Sequence, residues 1–142
     1  MILYLDTSSL VKLYVTEAHS QQVREWADEA EILATCRVAF PELMSALNRR
    51  FRAGELAKED YNLVVKTFAG QWRHFAVLDF DEISAGALVQ TYGLRGFDAV
   101  HLSAARILSC SADAAVLAFS SFDEKLNAAA AAEDLTVLVP RK

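Results

Sequence analysis

Residues 1–9 read Met1-Ile-Leu-Tyr-Leu-Asp-Thr-Ser-Ser9, an apolar run from Ile2 to Leu5 that stops abruptly at a carboxylate. Hydroxyl residues follow Asp6, and an apolar helical pattern then begins. A short run that is apolar at every position predicts a strand covered on both faces, as in a parallel sheet. Ligands of open parallel sheets bind in the crevice beyond the carboxyl ends of the strands. Asp6 would stand at that crevice, or it would simply N-cap the next helix, a role that suits aspartate. The nine residues alone do not decide between the two.

The strand–helix alternation continues along the chain. Ser8 to Val15 and His19 to Glu29 read as helices, and Ile32 to Ala34 as a second strand. Phe40, Leu43, Met44, Leu47 and Phe51 recur at helical spacing, with Pro41 tolerable only in a first turn. Gly54 ends that helix. The next carries Tyr61, Val64, Val65, Phe68, Trp72 and Phe75 on one stripe. Ala76 to Leu78 suggests a third strand, and Ile83 to Tyr92 a helix closed by Gly93. Gly96 opens a further helix whose apolar face holds Phe97, Val100, His101, Ala104 and Leu108, with Asp98 on its shoulder. Ala114 to Phe119 reads as a fourth strand, and Ser121 with Glu124 as a capping box for an alanine-rich helix. Leu135 to Val139 is the last strand expected. Strands alternating with helices predict a single three-layer α/β/α domain over residues 1–142, built on a central parallel sheet of about five strands.

Composition narrows the class. Of 142 residues, 54% are hydrophobic, enough for a core without disulfides or metal staples. Cys36 and Cys110 lie far apart, in no metal-binding or redox spacing, and read as small buried residues in a reducing compartment. No apolar run approaches the roughly 20 residues of a membrane span. Asp6 and Lys12 interrupt the opening apolar stretch and no basic leader precedes it, so the cytoplasm is the expected compartment. The net charge of −5 argues against passive nucleic-acid binding through a wide basic surface. It leaves open a nuclease whose acids hold divalent cations. Arg37, Arg49, Arg50, Arg52, Lys58, Lys66 and Arg73 nevertheless concentrate half of the 14 basic residues in one segment, a pattern a solvated helix face also produces.

Among 19 acids, position is what informs. Asp6 follows the first strand and Asp123 the fourth. Glu42 lies in the first turn of the helix leaving the second strand, and Asp98 in that of the second helix after the third. Crowded carboxylates repel and take up protons unless cations neutralise them. Oxygen-only ligation suits Mg²⁺ or Mn²⁺ rather than zinc. The helix dipole alone would also favour Glu42, Asp98 and Asp123 where they stand. On a helical wheel Glu42 falls opposite the Phe40–Leu47 stripe, beside Arg49, Ala39 and Ala46, as a surface residue would. His101 reads as a satisfied core histidine rather than a metal ligand, and Ser121 as an N-cap.

Four segments resemble the PIN domain, and more narrowly the VapC-type ribonuclease toxins of prokaryotic toxin–antitoxin pairs. They are the opening I-L-Y-L-D-T-S-S-L-V-K-L-Y, then V-A-F-P-E-L, G-F-D-A-V-H-L-S-A-A and S-S-F-D-E-K-L. The resemblance implies a metal-dependent endoribonuclease in which Asp6, Glu42, Asp98 and Asp123 bind Mg²⁺ or Mn²⁺ and activate water. Asp6 and Asp98 would be direct ligands, Glu42 a ligand or the residue orienting water, and Asp123 the completion of the cluster. Thr7 and Ser121 would orient those carboxylates, and RNA would lie along Arg49, Arg50 and Arg52. The resemblance further implies a homodimer and a small VapB-like antitoxin partner. Two rivals are a non-catalytic PIN scaffold binding RNA or protein, and a haloacid-dehalogenase-like phosphatase using Asp79-Phe80-Asp81 as a D-x-D signature.

Overall fold

The computed structural model describes residues 1–111 and 116–141. Its strands are β1 (Ile2–Leu5), β2 (Ile32–Cys36), β3 (Ala76–Leu78), β4 (Leu117–Ser120) and β5 (Thr136–Val137). All pair in parallel, in the order β3-β2-β1-β4-β5. The helices are α1 (Thr7–Leu10), α2 (Ser20–Glu29), α3 (Ala39–Arg52), α4 (Lys58–Gln71), α5 (Glu82–Tyr92), α6 (Gly96–Ser111) and α7 (Glu124–Ala132).

β1 is the middle strand, and its alternation builds both halves of the core. Ile2 and Tyr4 pack with Leu88, Leu102 and Leu126, from α5, α6 and α7. Leu3 and Leu5 pack on the opposite face with Leu10, Val23, Leu43 and Phe68, from α1 to α4. Three layers result, and no side chain of β1 is more than 8% exposed. Burial on both faces is why the strand needs no polar alternation. Pro41 sits in the first turn of α3, where its missing N–H interrupts no helical bond. Gly93 closes α5 at φ 66°, a left-handed conformation that costs glycine little.

Several boundaries differ from the sequence expectation. β2 runs on to Cys36 because Thr35 and Cys36 still find partners in Val77 and Leu78. The first helix starts at Thr7, and the chain beyond Leu10 tightens into a 3₁₀ turn, Val11–Leu13. β5 is shorter than Leu135–Val139, since the Leu135 N–H still bonds the Ala130 carbonyl at the end of α7. Of the expected Ala114–Phe119 strand, Ala114 and Ala115 lie outside the described residues; the observed strand reaches Ser120. Cys36 is buried as expected, but Cys110 is exposed, because it falls on the solvent side of α6. No helix among the described residues is long and apolar enough to cross a membrane.

Candidate active site

β1 and β4 are neighbours, and from β1 the chain moves outward to β2 on one side and returns to β4 on the other. Between them lies the switch point of the sheet, the crevice where α/β folds bind ligands. Asp6 stands there, 3% exposed. Its Oδ1 accepts from the Ser9 N–H at 3.0 Å and the Ser8 hydroxyl at 2.7 Å, and its Oδ2 from the Ser121 hydroxyl at 2.6 Å. Asp6 therefore N-caps α1 and faces the crevice at once. Burial pushes its carboxyl pKa up, against the opposing pull of His101 and the hydrogen bonds from Ser121, Ser8 and Ser9. Among the described residues no lysine or arginine pairs with it.

Ser121 does not cap α7. Its hydroxyl is captured by the Asp6 carboxylate and also accepts from the Asp123 N–H at 3.1 Å. The cap is Asp123, whose Oδ1 accepts from the Leu126 N–H at 2.8 Å. The Ser-x-x-Glu spacing imitates a capping box, but a charge-assisted bond to a buried carboxylate outweighs a neutral cap. The second oxygen of Asp123 is left for the cleft. There Arg95 bridges it to Asp98, with Nη2 3.0 Å from Asp123 Oδ2 and Nε 3.0 Å from Asp98 Oδ2. Arg95 escaped the sequence reading. Its spacing to Asp98, three residues across a helix start, was a visible signal; its reach to Asp123 was not.

Glu42 is half-buried rather than on a free surface, because its carboxylate turns inward to donors from α1 and α6. Its Oε1 accepts from Thr7 Oγ1 at 2.7 Å and from His101 Nε2 at 2.8 Å. His101 is buried, and its Nδ1 lies 2.8 Å from the Tyr4 hydroxyl. An ionised Glu42 needs a donor at Nε2, and Tyr4 can donate to Nδ1 in the tautomer that satisfies both partners. Burial foremost, then Cys36 and the acids Asp6 and Glu42, hold the Tyr4 hydroxyl well above its ordinary pKa, so it remains a donor. At Glu42 burial raises the pKa, yet the bonds from His101 and Thr7 overcome it and the net direction is down. His101 is thus the satisfied core histidine expected, with one of the acids as its partner.

Asp6, Glu42, Asp98 and Asp123 line one cleft of about 750 Å³, with Arg49 and Arg50 on its wall. Arg50 pairs with Glu17, which also holds Lys12 at 3.0 Å. Arg52 does not line the cleft; its Nε donates to Asn48. Four carboxylate donors suit a hard divalent cation. As the side chains stand, no three of His, Cys, Asp or Glu among the described residues are gathered closely enough to grip one. Each acid is held by the protein's own donors: Asp6 by serines, Glu42 by Thr7 and His101, Asp98 and Asp123 by Arg95. The D-x-D pair is spent elsewhere. Asp81 caps α5 and Asp79 pairs with Arg37, both beyond edge strand β3.

The sequence and the fold have known counterparts. The chain belongs to the PIN domain family, which residues 3–132 match. It is similar to ribonuclease VapC35 of Mycobacterium tuberculosis, 30% identical over 141 residues that cover 98% of this chain and 97% of that protein. It is also 30% identical to ribonuclease VapC49 of the same organism over 107 residues, 73% of this chain and 74% of the other. The fold matches a toxin–antitoxin complex from Klebsiella pneumoniae with a TM-score of 0.67 and 17% identity, over 99% of this chain and 98% of that one.

Proposed function

We propose that the protein is a metal-dependent endoribonuclease, the toxin of a toxin–antitoxin pair. What supports this most is the convergence of four carboxylates from four separate segments on one cleft that also carries Arg49 and Arg50. The similarity to ribonucleases VapC35 and VapC49 supports the substrate class. Asp6 and Asp98 would hold Mg²⁺ or Mn²⁺, with Asp123 completing the cluster. A bound divalent cation would lower the pKa of a water and stabilise the charge developing on the phosphodiester. Thr7 and His101 keep Glu42 ionised, ready to orient that water and accept its proton. Ser121 and Ser8 fix the Asp6 carboxylate in one orientation. Arg49 and Arg50 take backbone phosphates, which position RNA without reading its sequence. A small VapB-like antitoxin would cover the cleft, and the free toxin would be a homodimer.

The deciding experiment incubates purified protein with RNA and Mg²⁺ or Mn²⁺, with and without EDTA. Cleavage that needs metal and disappears in Asp98→Asn is the expected result. RNA left intact with every metal and RNA tried would favour the non-catalytic scaffold.

Arg49 and Arg50 carry a separate prediction. In an Asp6→Asn background, Arg49→Ala with Arg50→Ala is expected to weaken binding of a single-stranded RNA oligonucleotide. The slope of log affinity against log salt should shrink by about 1.4, two phosphate contacts at ~0.7 each. Fluorescence anisotropy from low to moderate salt measures it. An unchanged slope would take RNA off this wall.

A further inference from the structure

Arg95 is an unusual neighbour for a metal site. It is the residue on which α6 starts, its carbonyl accepting from the Ala99 N–H at 3.0 Å. A cation there faces the positive end of a 16-residue helix, the end that favours anions. Its side chain is 79% exposed, whereas those of Asp98 and Asp123 are 18% and 29% exposed. What holds the guanidinium against the dipole is the pair of carboxylates it bridges. Among the described residues it is the only cation that either carboxylate pairs with.

We infer that Arg95 is an exchangeable counter-cation, occupying Asp98 and Asp123 in the metal-free protein and yielding them when a divalent cation binds. The inference rests on the metal-dependent reading of the cleft. Arg95 prevents two inward-facing carboxylates from repelling each other while no ion is present. Its exposure makes the two pairs weak and screened, so they yield readily to a doubly charged ion. A fully buried bridge of the same geometry would resist exchange, because the departing arginine would strand charges in a dry site. Once freed, the guanidinium remains at the mouth of the cleft, where its planar fork matches a phosphate. Arg95 would therefore act first as a stand-in for the metal and then as a contact for RNA.

The test is the Mn²⁺ affinity of the RNA-free protein, measured by isothermal titration and by the electron paramagnetic resonance signal of free Mn²⁺. Arg95→Gln, which removes the competitor, is expected to bind Mn²⁺ about tenfold more tightly than wild type. Arg95→Lys, which keeps the charge without the bidentate fork, should fall between the two. In EDTA, Arg95→Gln should also melt below wild type, since Asp98 and Asp123 lose their counter-cation; added Mn²⁺ should close the gap. Equal or weaker Mn²⁺ binding in a folded Arg95→Gln would overturn the exchange while leaving the nuclease reading intact. Wild-type protein and Arg95→Gln that both fail to bind Mn²⁺ would remove the metal site itself, and the exchange with it.

Discussion

Asp6→Asn is expected to reduce metal-dependent RNA cleavage by about a hundred- to a thousandfold, the scale on which removing one group that stabilises developing charge acts. The same substitution is expected to flatten the loss of stability that the metal-free wild type shows as pH rises above the ordinary carboxylate range. Both effects follow from one carboxylate, buried and unpaired with any lysine or arginine among the described residues. Its folded pKa lies above the ordinary 3.8, with burial the leading cause. As pH rises from there, the unfolded chain releases a proton that the native chain keeps, so native stability falls through that window. The amide of the variant has nothing to ionise and escapes the loss. Glu42 runs the other way: its folded pKa lies below the ordinary 4.5, so its contribution is present above that value and fades as pH drops through the folded pKa. Thermal melts in EDTA across pH 4–8, for wild type and Asp6→Asn, would separate the two slopes. Saturating Mn²⁺ should stabilise wild type by about 2.7 kcal/mol at a hundred times its dissociation constant, and the variant by much less. If Asp6→Asn cleaved RNA at the wild-type rate, the site would lie elsewhere.

His101→Ala should produce the largest loss of stability. It removes a buried ring, leaves the Tyr4 hydroxyl without its acceptor and takes one donor from Glu42. A cavity and an unsatisfied buried polar group together cost about 3 kcal/mol, near 10 °C in melting temperature for a chain of this size. Urea unfolding in EDTA gives the value. Tyr4→Phe should cost less, about 1 kcal/mol, because it deletes one hydroxyl and keeps the ring stacked on Phe119 at 5.6 Å. The two substitutions share the Tyr4–His101 bond, so the double variant should lose less than their sum. Full additivity would mean that bond contributes nothing.

The succession of strands and helices, the two-sided burial of β1 and the meeting of four acids at one edge were all readable from residue pattern and family resemblance. Local periodicity records which face of an element is apolar, and β1 is apolar on both. It does not record which polar side chain will meet which. Glu42 looked like a surface residue because its helix stripe points the other way, yet His101, 59 positions on, donates to it. Ser121 looked like a cap because the three-residue spacing to Glu124 fits one. The carboxylate that claims it lies 115 positions earlier. The reach of Arg95 to Asp123 stayed invisible for the same reason, since that partner lies 28 residues ahead. Cys110 was misplaced more simply: hydrophobic character predicts burial on average, and α6 turns this residue outward.

The middle position of β1 bears on when the acid-lined cleft comes together. Ribosomes release the amino-terminal part of a chain first, and domains tend to fold as they emerge. Here β1 emerges long before β4, the neighbour that supplies Ser120 and leads to Ser121 and Asp123. A nascent chain that stops short of residue 117 has three of the five strands and an Asp6 without its Ser121 partner. The acid cluster is therefore assembled by the late return of the chain to its own beginning. During synthesis the topology itself keeps the cleft unfinished.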